Sequence, residues 1–389
     1  MAYRNKKKKR KKGQFRRFLY VALLAINILV GSPLLFSFLA QYIPPSTSKY
    51  VAFSGIAFPY LLVANCIICF LWIFVRYQYL IISLTLILLN TNTIDKHYQF
   101  KAVEKPQKCA QCIKVMSYNV RLFDLYNPTP SEFGKGKEKI FNYLKTEKPD
   151  IVCFQEYFLD KGNKLNFFTT DSILSTLELQ NDERYYYQYF PNNLRNEYFY
   201  GLAIFTKYRI VNNGIVELEK GSNNIAIYAD IKYRSDTIRI YSIHLTSIHL
   251  DKIDYETGKY FSQNLNDPNL SKKTKNIYLK LDVAFKKREL QVKMLKNHID
   301  SCRFPIILCG DFNDTPASYA YNQLAKKFKD TFRESGQGEG ITYHGDAFPQ
   351  YRIDYILYDK RYKSYGYTVT NSIKVSDHFP IFSYISLQK

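Results

Sequence analysis

Two runs without a single charged residue, Phe18–Ala40 and Val51–Val75, constrain this chain more than any other feature. At 23 and 25 residues, each is long enough as a helix to cross a hydrocarbon core. Such helices satisfy their backbone groups internally, and stretches of that kind do not belong to a water-exposed domain. Residues 1–17 carry ten Lys or Arg and no acid, with Lys6–Lys12 as unbroken charge. That arm cannot pack, and by the positive-inside tendency it stays in the cytoplasm. A cleaved leader is not expected, because the first apolar run is too long and a second follows at once. A third apolar run, Leu80–Leu89 within Tyr77–Asn90, is at the lower limit for a span and also fits an interfacial helix. Two crossings leave the remaining chain in the cytoplasm and three put it outside, three being favoured. The expected organisation is a polybasic cytoplasmic tail (1–17), a membrane region (18–91), a polar linker (92–114) and a large domain (115–389), together a multi-pass integral membrane protein.

The formal charge of +21 invites a nucleic-acid reading, but half of it lies in the tail. Residues 115–389 hold 38 basic and 32 acidic residues, a net of +6, so charge does not select nucleic acid as the partner. The seven Cys are scattered and do not form a disulfide framework. Cys109 and Cys112 make a C-x-x-C pair with no second pair at zinc-ribbon spacing, so no structural zinc is expected. Cys153 and Cys309 sit inside apolar runs and read as core residues.

From Val115 onward, strand-like and helix-like segments alternate. Val115–Val120, Asp150–Glu156, Tyr185–Phe190, Tyr200–Phe205, Ile225–Tyr233 and Ile238–His244 read as strands, the last two as a hairpin turning at Arg234–Asp236. Lys137–Lys145 reads as a helix. His249–Ile277 is polar, Asn- and Lys-rich and poorly patterned, and is expected to be a long surface loop or lid. Leu281, Phe285, Val292, Leu295 and Ile299 then form a helical stripe that includes Arg288, whose head group is expected to snorkel to water. Pro305–Asp314 follows, an apolar run ending in Gly, two acids and an amide, which reads as a strand buried on both faces. A helix is expected near Ala317–Phe328, and two last strands at Tyr351–Leu357 and Phe379–Ile385.

Polar residues recur where these apolar strands end: Asn119, Glu156, His244, Asp311 with Asn313, Asp354, and Asp377 with His378. One of them would be a cap or a turn; the series is hard to assign to caps. Together they contain what phosphoric ester hydrolysis needs. A hard cation, Mg²⁺ or Mn²⁺, takes carboxylate oxygen with positions left for water and phosphate, which Glu156 with Asn119 or Asp377 can supply. Asp311 can orient or deprotonate a water, two His can donate to phosphoryl oxygens, and Asp354 can hold the tautomer of His378.

From about Lys114 to its end, the chain resembles the endonuclease/exonuclease/phosphatase superfamily with the DNase I-like fold. The ordered signatures are Met116–Asn119, Gln155-Glu156, Gly201–Phe205, Ser242–Leu245, Gly310–Asn313, Arg352–Tyr355 and Ser376–Pro380. The resemblance implies an α/β fold, a four-layer α/β sandwich with two facing mixed β-sheets, preceded here by two or three transmembrane helices. It also implies a metal site of Glu156 with Asn119 and Asp377 as auxiliary ligands, Asp311 activating water, Asn313 and His244 holding the scissile phosphate, and His378 paired with Asp354. Ser-Ile-His-Leu weakens a DNA-repair reading, and Arg-Ile-Asp-Tyr departs from the inositol polyphosphate 5-phosphatase pattern. The expected substrate is a phosphodiester or phosphomonoester, of a phospholipid headgroup or nucleic acid, with no obligate protein partner inferred. The competing reading is a catalytically silent membrane scaffold that keeps the fold; its mark would be a lost motif residue, and none is lost.

Overall fold

From residue 112 onward, the described residues form twelve strands in two six-stranded sheets. The computed structural model describes residues 2–101, 111–125, 134–162, 165, 167–194, 197–219, 224–248, 270–345 and 350–387. In one sheet the strands are β1 (Cys112–Asn119), β2 (Ile151–Asp160), β3 (Tyr186–Leu194), β4 (Tyr198–Thr206), β11 (Lys363–Val369) and β12 (Ile381–Ser386), in the order β11-β12-β1-β2-β4-β3. In the other they are β5 (Ile210–Glu217), β6 (Ile225–Tyr233), β7 (Asp236–His244), β8 (Ile306–Asp311), β9 (Phe328–Asp330) and β10 (Asp354–Asp359), in the order β5-β6-β7-β8-β10-β9. Both sheets are mixed, with β1 parallel to β2 and β7 parallel to β8 and the other pairs antiparallel.

Each central strand is apolar on both sides because each sheet is covered on both faces. Val115, Cys153 and Ile204 from one sheet interdigitate with Ile227, Ile240 and Cys309 from the other, all with almost no exposed surface. On the outer face of the first sheet lie α6 (Lys135–Glu147) and α7 (Thr169–Thr176), through Ile140, Leu144 and Ile173. On the outer face of the second lie α8 (Leu270–Asp300), through Val292, Leu295 and Ile299, and α9 (Tyr319–Ala325), through Leu324. The domain is thus the expected four-layer α/β sandwich. At roughly 1.5–3 kcal/mol for each large apolar side chain fully buried, these three cores are what hold the layers together.

Several expectations are corrected. The expected loop at 249–277 is helical from Leu270, its remainder falling outside the described residues. The polar stretch expected as a linker from Asn92 is helical as α5 (Thr91–His97), and β1 begins at Cys112, which is disulfide-bonded. Three strands were not read from sequence. β5 and β11 are edge or near-edge strands with exposed and half-buried positions, and β9 has only three residues. Arg288 does not snorkel. It is fully buried and paired with Asp314 at 3.0 Å, because α8 lies flat on the sheet and leaves its stripe no route to water.

The N-terminal helices form a unit of their own, residues 1–97 for the most part. α1 (Ala2–Leu39), α3 (Phe58–Val75) and α4 (Leu80–Leu89) pack together, with α2 (Lys49–Ile56) between the first two. Two helical segments, Gly13–Leu39 and Phe58–Val75, are long and apolar enough to cross a membrane. α4 runs beside α1 in the same direction: Tyr20 meets Tyr79 (2.8 Å), Asn27 donates to Ser83 (2.8 Å), and Asn90 donates to the carbonyl of Leu34 (3.5 Å). α5 continues that line until Lys96 donates to Gln41 at 3.0 Å.

One buried ion pair outside the site carries the end of the second sheet. Arg352 donates to Asp330 at 2.9 Å with its guanidinium over the rings of Phe332 and Tyr355, and Asp330 also caps α10 (Thr331–Ser335) and accepts from Tyr321. Asp330→Ala leaves a buried guanidinium without its counter-charge. We expect it to destabilise the domain by about 3–5 kcal/mol, read as a lowered midpoint in near-UV circular dichroism melts, with an unchanged midpoint as the contrary result.

Candidate active site

The register of the sheets gathers the strand-end residues before any side chain is considered. Asp311 on β8 is directly opposite His244 on β7 and Asp354 on β10, so three motif residues stand at one level of the second sheet. On the first sheet, Asn119 of β1 is opposite Gln155 of β2, which places Glu156 one step further. β2 does not stop at Glu156 as the sequence suggested. It continues to Asp160 across a bulge, and the bulge turns Glu156 out of the strand with φ of 50°. Gly310 is required where β8 meets β7: its φ is 149° and a Cβ there would lie 2.1 Å from the carbonyl oxygen of Ile243.

The side chains converge. The Asn119 amide donates to Glu156 Oε1 (3.0 Å) and Asp311 Oδ2 (3.1 Å), one carboxylate from each sheet, while its Oδ1 accepts the N–H of Arg121 at 3.1 Å. The Nε2 atoms of His244 and His378 each lie 3.7 Å from the same Asp311 Oδ2, and His244 Nε2 is 3.9 Å from Glu156 Oε1. His378 Nδ1–H donates to Asp354 Oδ2 at 2.8 Å, leaving Nε2 toward Asp311. Asn313 turns the chain with φ of 52°, donates its N–H to Asp311 Oδ1 and its amide to the carbonyl of Leu245. Asp377 is tied in through Ser376, whose hydroxyl lies 3.3 Å from the Asp377 carboxylate and donates to the carbonyl of Asn119 at 2.7 Å.

Supporting residues that sequence reasoning missed now stand out. Beneath the site, Ser117, Gln155 and Ser242 form a buried polar thread between the sheets, Gln155 donating to Ser242 at 3.0 Å. Behind it, Arg288 donates to Asp314 and to the carbonyl of Thr246 (2.9 Å). Gln291, one turn away, accepts from Thr246 N–H (3.0 Å) and donates to Thr246 Oγ1 (2.7 Å). Only the helical stripe and the second acid of Gly310–Asp314 hinted at them. The ring of Tyr343 stands edge-on to His378 at 5.1 Å.

Charge follows from burial. Desolvation, with Asp354 adding to it, pushes the Asp311 carboxyl up to about 6 against the pull of both His. Burial alone would lower His378, but the Asp354 and Asp311 carboxylates outweigh it and push the imidazole up to about 10. The neutral pH state is therefore an imidazolium held between two acids.

Oxygen ligands for a hard cation are present. Asp311, Asp354 and His378 offer ligand atoms within 4.8 Å of one another. That trio is nearly inaccessible and its His–Asp pair is already hydrogen-bonded, whereas the side chain of Glu156 is 36% exposed. A cation that must also carry water and phosphate therefore fits the Glu156 side of the cluster, where two carboxylates now share one amide donor.

Backbone strain concentrates here. Of nine non-glycine residues with positive φ among those described, Glu156 and Asn313 are in the site and Arg121–Asp124 begin two residues after Asn119. At about 1–3 kcal/mol each, such conformations persist only where surrounding contacts impose them.

If Asp354 holds the imidazole, Asp354→Asn removes the carboxylate and should move the His378 titration down by at least one unit, about 1.4 kcal/mol. The measurement is the ring ¹⁵N shift of histidine-labelled protein across pH without metal; an unmoved titration would exclude Asp354 as the partner.

A family profile described as the Endonuclease/Exonuclease/phosphatase family matches residues 116–378, and a second, described as a domain of unknown function, matches residues 16–97. No curated protein matches the chain. Similar solved structures include an endonuclease/exonuclease/phosphatase family protein from Leptotrichia buccalis, with 19% identity, 70% of this chain and 99% of that chain covered, and TM-score 0.47. The human Nocturnin catalytic domain with bound sulfate aligns at 18% identity over 73% of this chain and 96% of that one, TM-score 0.49. A mannosyl-6-phosphatase from Bacteroides thetaiotaomicron aligns at 16% identity over 70% and 99%, TM-score 0.47.

Proposed function

Because the chain belongs to the endonuclease/exonuclease/phosphatase family, we propose that it is a membrane-anchored, divalent-metal-dependent hydrolase of phosphoric esters, acting on a phospholipid headgroup or a nucleic acid. The observation that carries this reading is the Asn119 amide bonded to Glu156 and Asp311 at once, with two imidazoles 3.7 Å from the same Asp311 oxygen. Carboxylates, an amide and imidazoles from both sheets meet at one rim, and no motif residue is lost, which argues against a silent scaffold.

In this mechanism Glu156 would hold the cation, with Asn119 and Asp377 as auxiliary ligands, and a bound Mg²⁺ or Mn²⁺ would supply charge neutralisation for the phosphoryl oxygens. Asp311, raised toward neutrality by burial, takes the proton of the attacking water. His378, cationic and oriented by Asp354, donates to a phosphoryl oxygen as negative charge grows there, and His244 donates from the other side. Asn313 keeps Asp311 and the Leu245 loop in register with the phosphate.

The N-terminal helices support anchoring. The pairing of α4 with α1 from Tyr20–Tyr79 to Leu34–Asn90 favours three crossings, with a cytoplasmic tail and the catalytic domain outside. Protease added to intact spheroplasts should then digest the domain; full protection until lysis would reverse the topology.

Turnover of a generic phosphodiester by the purified full chain with Mg²⁺ should fall at least 100-fold in Glu156→Ala and Asp311→Ala while the fold is kept. Mutants as active as the parent would remove the catalytic assignment. A panel of DNA, RNA, sphingomyelin and inositol phosphates would name the substrate class. Asp311 must be ionised to accept a proton, so the rate should decline as pH falls through about 6 or below, since a bound cation lowers that limb. A decline setting in near pH 8 would point to another base.

A further inference from the structure

α8 carries two apolar faces, and the fold uses only one. Its inner stripe, with Val292, Leu295 and Ile299, is buried on the second sheet. A second row, Leu279, Val283, Leu290 and Met294, is 45–60% exposed. At 3.6 residues per turn these four side chains fall within about 60° of one another, opposite the buried stripe, and extend over about 22 Å of helix. Of the seven large apolar residues that are exposed from residue 112 onward among those described, four are in this row. Exposed apolar residues scattered singly are ordinary; four in line are a surface feature.

Charge is arranged around the row. Lys286 and Lys293 border it on one flank and Lys280 and Lys287 on the other, while Asp282, Glu289 and Asp300 all fall beyond the first flank. Those are the only acids of α8, against nine Lys or Arg. Lys286 reaches Asp282 at 2.8 Å and Lys287 reaches Glu219 at 2.9 Å, but both pairs lie at the surface, where an ion pair contributes little.

The direction of α8 fixes where the row stands. His298 lies 2.8 Å from the hydroxyl of Tyr241, within β7, whereas Gln291 accepts from the N–H of Thr246, past the end of β7. The helix therefore runs opposite to β7. Val283 and Leu279 follow about 12 and 18 Å beyond Gln291, at the end of the sandwich that bears His244 and Asp311.

A convex apolar row rimmed by lysines is what an interfacial helix presents to a bilayer. Its aliphatic side chains enter the headgroup boundary, and the lysine stems lie along it with their charges at the lipid phosphates. A second copy of α8 is a poorer occupant, because pairing two such rows sets lysine against lysine along both flanks. We propose that the outer face of α8 binds the surface of an anionic bilayer, which lays the α/β domain against lipid beside its catalytic rim. The proposal rests on the anchoring reading above only in that a bilayer is within reach.

The chain has one tryptophan, Trp72. In a Trp72→Phe background, Leu290→Trp reports on the row, and Phe168→Trp, exposed just ahead of α7, is the reference. Each full chain is reconstituted into vesicles of phosphatidylcholine brominated on its acyl chains, with or without phosphatidylglycerol. With phosphatidylglycerol, the emission of the Leu290→Trp variant should shift to the blue and be quenched at least twofold by bromine. Salt at about 1 M, which screens charges beyond about 3 Å, should reverse both, as should Lys286→Gln with Lys293→Gln. The reference should show neither change. Should Trp72→Phe not assemble, the same variants are read as difference spectra with Trp72 kept. An indole that bromine does not quench overturns the proposal, even if its emission is blue, since protein rather than lipid then covers the row. Quenching that is equal without phosphatidylglycerol overturns the anionic requirement. An alkaline carbonate wash keeps the two readings apart: chain quenched before the wash but released by it upholds the α8 surface and sinks the anchoring reading, whereas retained chain with an unquenched indole sinks the α8 surface alone.

Discussion

A single carboxamide joins the two halves of this domain where chemistry is expected. Asn119 ends a strand of one sheet, and its NH₂ group reaches Glu156 of its own sheet and Asp311 of the other. Two carboxylates brought that close repel unless donors or cations lie between them. The sheets must pack within a narrow tolerance for one amide to serve both acids, and the buried Ser117–Gln155–Ser242 thread beneath it holds that spacing. The burial that raises Asp311 and the two acids that raise His378 follow from the same closure.

The scaffold places its strain where it places its function. The bulge that rotates Glu156, the turn that Asn313 makes after β8 and the left-handed turn after Asn119 are all unfavourable in isolation. They are offset by fully formed cores on either side, Phe123 being the plainest case, a ring in the aromatic layer whose backbone could not adopt this conformation unaided. Arg288 and Gln291 do similar work from α8, fixing the Thr246 backbone and thereby the loop that Asn313 also grips.

Much of this was legible in the residues. Asn119, His244 and Asp311 could be read because each closes an apolar strand, and Asp354 and His378 because each stands just ahead of one; Glu156 was read as a strand end but lies on a bulge within β2. The layered fold could be read from the same apolar strands. Arg288 could not: an arginine on an amphipathic stripe looks the same whether it reaches water or an acid 26 positions away. The edge strands β5 and β11 were missed because a strand covered on one side only lacks a continuous apolar signal. Helix from Leu270 was missed because its first turns are rich in Lys and Asn and carry no stripe.

By itself, then, the order of residues determined the segregation of a charged tail and two apolar helices from an α/β domain, and the kinds of group that end its strands. Both are one-dimensional properties, set by hydrophobic run length and by what lies at its boundary. Only the tertiary structure decided which acid meets which imidazole, that α4 lies parallel to α1, and that Asn119 spans both sheets. Those depend on strand register and on the packing of faces far apart in the chain. A shift of one residue in β8 would send Asp311 to the opposite face while leaving every local signal in the sequence unchanged.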